Sequence, residues 1–207
     1  MQSRRLDDTL DAMNDTYLQT RRVELRRLVD GDARLLFALD SDPEVIRYVH
    51  QRPPADEREV RATTLSRYMA YYEHFDQLGF WAAIDRESGE FIGWFHLRPF
   101  EDRTDDLELG YRLCRSAWGC GLATEVSGAL LRKAFGSLGA TRVVARALAA
   151  NAASIRVMQK LGMRFIEPFF ESGINAVMYG VSRDEWTGMT RRDSAEGDVV
   201  RSDGDGR

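Results

Sequence analysis

Lysine is nearly absent from this chain: Lys133 and Lys160 are the only two, and arginine carries the rest of the positive charge. Cysteine is as scarce. Cys114 and Cys120 stand alone, so no disulfide framework is implied and no Cys/His cluster has metal-ligand spacing. No run approaches the ~20 apolar residues of a membrane helix, and the start, Met1 to Asp8, is too polar for a secretory signal. A reduced, cytoplasmic protein without metal is the default expectation. The formal net charge of -4 gives no reason to expect nucleic acid or an acidic membrane as partner, and it is mildly compatible with a cationic substrate. What is present is 43% hydrophobic and 10% aromatic residues over 207 positions, enough for one core and one domain with tails.

One stretch organises the rest: Arg115-Ser116-Ala117-Trp118-Gly119-Cys120-Gly121-Leu122-Ala123-Thr124-Glu125. A strand-like run, Leu107 to Leu113, leads into it, and a helical run, Leu122 to Phe135, leads out. Gly119 and Gly121 have no Cβ to hold a ligand away from the backbone, and a first helical turn presents unpaired N–H groups. Such a turn is either a phosphate cradle or only a tight connection. Leu122, Val126, Leu130 and Ala134 recur every fourth residue, the buried stripe of a helix lying on a sheet, and Gly139 is placed to end it. Thr141 to Leu148 then reads as a strand, and Asn151 starts a second helix that stops at Leu161-Gly162.

Elsewhere the pattern alternates between the two periods. Arg22 to Leu28 reads as a first strand; Asp30 or Asp32 caps a helix through Leu35, Leu36 and Leu39. Glu44 to Tyr48 adds a turn of helix, Pro53-Pro54 breaks the chain, and Arg58 to Phe75 is helical. Gly79–Asp85 and Phe91–Arg98 form a pair of strands across a loop at Ser88-Gly89, and Glu101 to Asp106 is a solvated connection. In the next strand Leu107, Leu109, Tyr111 and Leu113 point one way, and Glu108, Gly110 and Arg112 the other. Gly110 in mid-strand suggests a bulge or a close ligand approach. Arg164 to Glu171, interrupted by Pro168, and Ala176 to Ser182 close the sheet.

The order of elements, with Trp118 to Glu125, Asn151-Ala152-Ala153-Ser154 and Lys160-Leu161-Gly162-Met163, resembles the GNAT superfamily of acyl-CoA-dependent N-acetyltransferases. It looks most like the branch that includes the ribosomal-protein N-terminal acetyltransferases. The resemblance covers roughly Arg21 to Trp186. It implies an α+β fold, a single mixed, mostly antiparallel twisted sheet of about six to seven strands flanked by about four helices. The fourth and fifth strands, Leu107–Leu113 and Thr141–Leu148, would be splayed. Residues 1–20 become a flexible tail, 21–186 the acetyltransferase domain and 187–207 a disordered polar tail.

The same resemblance assigns roles. Acetyl-CoA is the co-substrate, held at Leu113, Trp118, Gly119, Cys120, Gly121, Leu122, Ala123 and Thr124, with Asn151 and Ser154 on the pantetheine arm. Trp118 replaces the usual Gln/Arg of the motif. Cys120 stands where a basic residue is frequent, and Arg115 is the candidate to compensate. Many relatives carry a tyrosine general acid at the position of Met158, which leaves Ser154 to protonate the departing thiolate. Glu108 is the favoured base for the acceptor ammonium, Glu171 the second. Tyr48, His50, Tyr68, Tyr71, Tyr72 and His74 lie where acceptors are admitted, though singly each reads first as core or surface. His96 is read first as a buried, hydrogen-bonded histidine and only second as a base. The acceptor is a primary amine, of a peptide N-terminus or a small molecule, with an aminoglycoside-type antibiotic or a non-catalytic acyl-CoA-binding module as the alternatives. Relatives of this kind are monomers or homodimers.

Overall fold

The computed structural model describes residues 16–49, 52–171 and 174–187. The chain begins with β1 (Thr16–Gln19) and β2 (Val23–Arg27), followed by α1 (Ala33–Ser41) and α2 (Pro43–Ile46). Then α3 (Glu57–Val60) runs through a wide π-helical turn, Arg61–Leu65, into α4 (Ser66–His74). Next come β3 (Gly79–Asp85), β4 (Phe91–Phe100) and β5 (Arg103–Leu113). The second half holds α5 (Leu122–Phe135), β6 (Arg142–Leu148), α6 (Ala152–Lys160), β7 (Arg164–Glu171) and β8 (Ile174–Ser182).

All eight strands share one mixed sheet, ordered β1-β2-β3-β4-β5-β6-β8-β7. Every neighbouring pair is antiparallel except β5 and β6. That parallel pairing covers only Asp106–Glu108 against Arg142–Val144. Beyond it β5 continues to Leu113 and β6 to Leu148 without bonding each other, so the sheet splits into a V, as the family resemblance implies.

Strand alternation sorts the core into two layers. Trp81, Phe95, Leu97, Leu107 and Leu109 face α5 and α6, where Val126, Leu130, Ala134 and Met158 close the layer. Phe80, Ala82 and Trp94 face the opposite side and pack on Leu36, Leu65 and Tyr68 of the helical segment between β2 and β3. The fourfold stripe of α5 is buried as its spacing dictates. The helix ends at Phe135, but its cap is Gly136, whose N–H donates to the Arg132 carbonyl at 2.9 Å; Gly139, with φ 71°, only turns the chain afterwards.

Three local expectations are corrected. Residues 16–19, assigned to a flexible tail, form the edge strand β1: Tyr17 stacks on Trp81 at 3.8 Å and its hydroxyl donates to the Gln77 carbonyl at 2.9 Å. Four residues carry too little pattern to announce a strand; a distant aromatic partner holds it. The charged connection after Arg98 is a tight hairpin, with Phe100 paired to Arg103 and both Glu101 and Asp102 at positive φ, 51° and 59°. Gly110 makes no bulge, since the β4–β5 register runs unbroken through His96↔Gly110. Its missing side chain makes room for a neighbour instead: a Cβ there would sit 2.5 Å from Cε1 of His96.

Gly110→Ala is therefore expected to displace the His96 ring and cost about 1–3 kcal/mol of stability, as overpacking of a core does. Urea denaturation measures it, and an unchanged midpoint would show that the ring moves freely.

Candidate active site

The glycine loop begins where β5 ends. Trp118 folds back and its indole N–H donates to the Leu113 carbonyl at 2.9 Å. Gly119 and Gly121 both take left-handed φ, 73° and 78°, a region that strains any side-chain-bearing residue. Gly121 is the N-cap of α5, so the first-turn amides of that helix lack intrahelical acceptors and face outward with the positive end of the dipole. The loop is braced from outside by Arg22, which precedes β2. Its Nη1 donates to the Cys120 carbonyl at 2.9 Å and its Nε to Glu125 Oε2 at 2.7 Å. Its own backbone N–H reaches Glu125 Oε1 at 2.9 Å.

From this loop a cleft of about 390 Å³ runs down the V between β5 and β6. Of the proposed cofactor residues, Leu113, Trp118, Gly119, Gly121, Leu122, Ala123, Thr124, Asn151 and Ser154 all line it. Cys120 does not: its carbonyl is turned to Arg22 and its thiol to the Trp118 carbonyl. Arg115 is not on the wall either. Arg156 and Lys160 of α6 line the cleft. The donor set of outward amides flanked by a guanidinium and an ammonium fits a diphosphate.

Deeper in the cleft, Asn151 caps α6 by accepting the Ser154 N–H at 3.1 Å. Tyr111 of β5 crosses the V, and its hydroxyl donates to Ser154 Oγ at 3.3 Å. Burial raises the Tyr111 phenol above its ordinary pKa, so it keeps its proton throughout the neutral range. Met158 is buried in the core beneath. Sequence reasoning placed Tyr111 among the apolar contacts of its strand, and only the approach of α6 brings it into the site.

On the other side of the V lies a larger cavity, about 670 Å³, walled by Tyr71, His74 and Phe75 at the end of α4, by the β4–β5 hairpin and by Met178. Glu108 lines it and is 6% exposed. Arg98 Nη2 donates to Glu108 Oε2 at 2.6 Å, while Arg146 donates from Nε to Oε1 at 3.0 Å and from Nη2 to Oε2 at 2.9 Å. Burial alone would raise the Glu108 pKa; the guanidiniums of Arg146 and Arg98 outweigh it and hold the group below the usual carboxylate range. Glu108 is therefore a buried, doubly paired carboxylate of reduced basicity. Arg146 lines both spaces and joins them.

The other candidates divide. Tyr71 and His74 line the cavity, and Tyr48 lines the cleft. Tyr68 is buried, stacked on Phe80 at 3.8 Å, and the Tyr72 hydroxyl is engaged by the Leu28 N–H and the Phe80 carbonyl, so both serve packing. His50 and the side chain of Glu171 lie outside the described residues. His96 is buried as expected, but neither ring nitrogen has a hydrogen-bond partner. Burial beside Phe80 and Trp94 pushes its pKa down to about 3, so it is neutral and no base at physiological pH.

Comparison with known proteins agrees with this geometry. Residues 22–164 match the sequence model of the acetyltransferase (GNAT) domain. The chain belongs to the GNAT acetyltransferase family. It is similar to the FsC-acetyl coenzyme A-N(2)-transacetylase of Aspergillus fumigatus, 32% identical over 190 residues that cover 84% of this chain and 79% of the relative. An uncharacterized N-acetyltransferase of Bacillus subtilis, YoaA, is 29% identical over 147 residues, covering 71% of this chain and 82% of its own. Among solved structures, a putative acetyltransferase from T. thermophilus superposes with a TM-score of 0.70 at 27% identity, covering 86% of this GNAT chain and 95% of the other. An acetyltransferase from Bacillus anthracis, at 18% identity, shares the fold with a TM-score of 0.69 over 81% of this chain and 98% of its own. The protein is an N-acetyltransferase with acetyl-CoA as co-substrate. These relatives establish the family and do not single out the ribosomal-protein branch.

Two outcomes follow for this GNAT enzyme. Arg22→Ala, which frees the loop and removes no cleft-lining atom, is expected to raise the KM for acetyl-CoA about three- to tenfold with kcat little changed. An unaltered KM in steady-state assays would show that the loop holds its shape without the brace. Because the Glu108 pKa is lowered by folding, its contribution to stability is present above the unfolded value, ~4.3, and is lost as pH falls through the folded one. Wild type should therefore lose more stability between about pH 5 and 3 than Glu108→Gln does, as read by chemical denaturation at each pH.

Proposed function

We propose that this enzyme acetylates the primary amine of a small molecule. The carrying observation is the acceptor space itself. It is a cavity of about 670 Å³, within the ~300–1,000 Å³ usual for small-molecule sites, and it meets the cofactor cleft at Arg146 where β5 and β6 part. The name of the Aspergillus relative, pairing acetyl coenzyme A with transfer at an N(2) position, is in keeping with a defined amine as acceptor. A protein N-terminus of the ribosomal kind remains the broader alternative. An aminoglycoside-type acceptor is favoured only by the exposed carboxylates Glu101, Asp102 and Glu167 at the mouth of the cavity, while Arg98 and Arg146 on its floor oppose a polycation.

When bound, acetyl-CoA supplies a thioester carbonyl that a neutral amine attacks, forming the N–C bond as the C–S bond breaks and sulfur leaves as thiolate. Outward amides of Gly121 to Thr124, with Arg156 and Lys160, grip the diphosphate, and Asn151 orients the arm. The edge that β5 turns toward β6 past Glu108 is unpaired, and its N–H groups polarise the carbonyl. Glu108 draws the acceptor ammonium into place. The two guanidiniums beside it lower that ammonium's pKa, so its proton passes to water in the open cavity. Tyr111 and Ser154 form a relay in which Tyr111 Oη donates to Ser154 Oγ and Ser154 Oγ–H meets the departing sulfur. No protein nucleophile is needed, and positioning carries much of the rate.

Ser154→Ala and Tyr111→Phe should each lower kcat about tenfold, the modest end of acid catalysis because a thiolate leaves readily, with KM for acetyl-CoA held. The double variant should be no worse than the poorer single one. Independent, multiplying losses in steady-state assays would reject a shared relay.

A further inference from the structure

Among the described residues five buried side-chain polar atoms have no hydrogen-bond partner, and four of the five belong to one row. They are Trp94 Nε1, His96 Nδ1 and Nε2, and Arg98 Nε, on alternate residues of β4 and so on one face of the sheet. Buried polar groups are nearly always paired, so this row is a local excess of donors, and it reaches open space on the acceptor side at Arg98, whose side chain is 31% exposed. The row bridges the two spaces of the site, with Trp94 on the cofactor cleft and Arg98 on the acceptor cavity. Across the hairpin it faces Arg112, Gly110 and Glu108.

The chemistry of the row says what is missing. Indole and guanidinium nitrogens only donate, and a neutral imidazole offers one donor and one acceptor. Acceptors are in deficit. Glu108 has both oxygens engaged already, by Arg98 and Arg146. Arg112 is committed to Asp40. Two guanidiniums share one carboxylate on the cavity floor, which leaves a local excess of one positive charge. The acidic residues that line the cavity elsewhere, Glu101, Asp102 and Glu167, are exposed at its mouth and screened by solvent. The remaining wall includes the rings of Tyr71, Phe75 and Phe100.

We infer that the acceptor amine belongs to a molecule that also bears a carboxylate, an α-amino acid or a small derivative of one. Its carboxylate docks at Arg98, its amine faces Glu108, and its side chain lies against the aromatic wall. One carboxylate held between two guanidiniums is the complement of an ammonium with a carboxylate beside it. A simple alkylamine or a polyamine brings no acceptor oxygen, and a peptide N-terminus brings a carbonyl without charge. This rests on the reading of the 670 Å³ cavity as the acceptor's.

Coenzyme A release at saturating acetyl-CoA, with matched pairs, tests it: phenylalanine against phenethylamine, tyrosine against tyramine, lysine against cadaverine. The amino acid of a pair should show a kcat/KM at least about tenfold above its decarboxylated partner. Arg98→Gln should lower kcat for both members of a pair, through the ammonium pKa, but raise KM for the amino acid alone and so erase the ratio; Arg98→Lys, which keeps the charge, should restore part of it. A purely structural Arg98 would move the KM of both members of a pair together, which would also count against the assignment. Equal rates within pairs, a preference for the decarboxylated amine, or no turnover of any pair by protein that binds acetyl-CoA in calorimetry would overturn the inference and leave the cofactor site standing. Failure to bind acetyl-CoA at all would instead remove the proposed function, and this inference with it.

Discussion

Three residue pairs of parallel sheet, Asp106–Glu108 with Arg142–Val144, hold the two halves of this enzyme together and then stop. Side chains reinforce both ends of that short ladder. Asp106 accepts from Arg142 Nη2 at 2.6 Å and from Thr141 Oγ1 at 3.1 Å, and Glu108 accepts from Arg146. Past Glu108 the strands separate, because β5 turns into the glycine loop while β6 keeps its pairing with β8 as far as Leu148. An opening in a sheet is costly unless its exposed backbone groups are used. Here the opening lays unpaired strand edges beside the cleft, brings Tyr111 across to Ser154, and lets Arg146 line both the cleft and the larger cavity.

The electrostatics of the site follow from a chain that uses arginine almost to the exclusion of lysine. Planar guanidiniums make forked contacts that an ammonium cannot. Arg22 spans a carbonyl and a carboxylate to brace the glycine loop, and Arg146 takes both oxygens of Glu108. The braced loop opens onto a cleft whose cations, Arg156 and Lys160, come from α6. In the larger cavity the same preference produces a buried carboxylate, Glu108, held below its ordinary pKa by two guanidiniums.

Much of this was legible along the chain, and the legible parts share a cause. The glycine pair, the buried stripe of α5 and the Asn151 cap are set by residues within one or two turns of each other, so sequence spacing reports them. The residues that escaped notice act across long separations. Arg22 reaches Cys120 over 98 positions, Tyr17 reaches Gln77 over 60, and Tyr111 reaches Ser154 over 43. Gly110 suggests a bulge or a close ligand approach because a glycine in a strand has several meanings; the His96 ring on the adjacent strand, which takes the space of a Cβ, decides against the bulge. His96 itself was expected to be hydrogen-bonded, and the row in which it lies leaves it without a partner.

The sequence by itself determined the alternation of strand and helix, the place of the glycine turn and the caps of the helices around it, because backbone conformation and capping are local properties of adjacent residues; the family chemistry is what the resemblance of its motifs implies. It could not determine the two-sided cleft, the depressed basicity of Glu108 or the unfilled nitrogens of β4. Those depend on which groups burial forces together and which it leaves without partners, and burial is a property of the packed molecule alone.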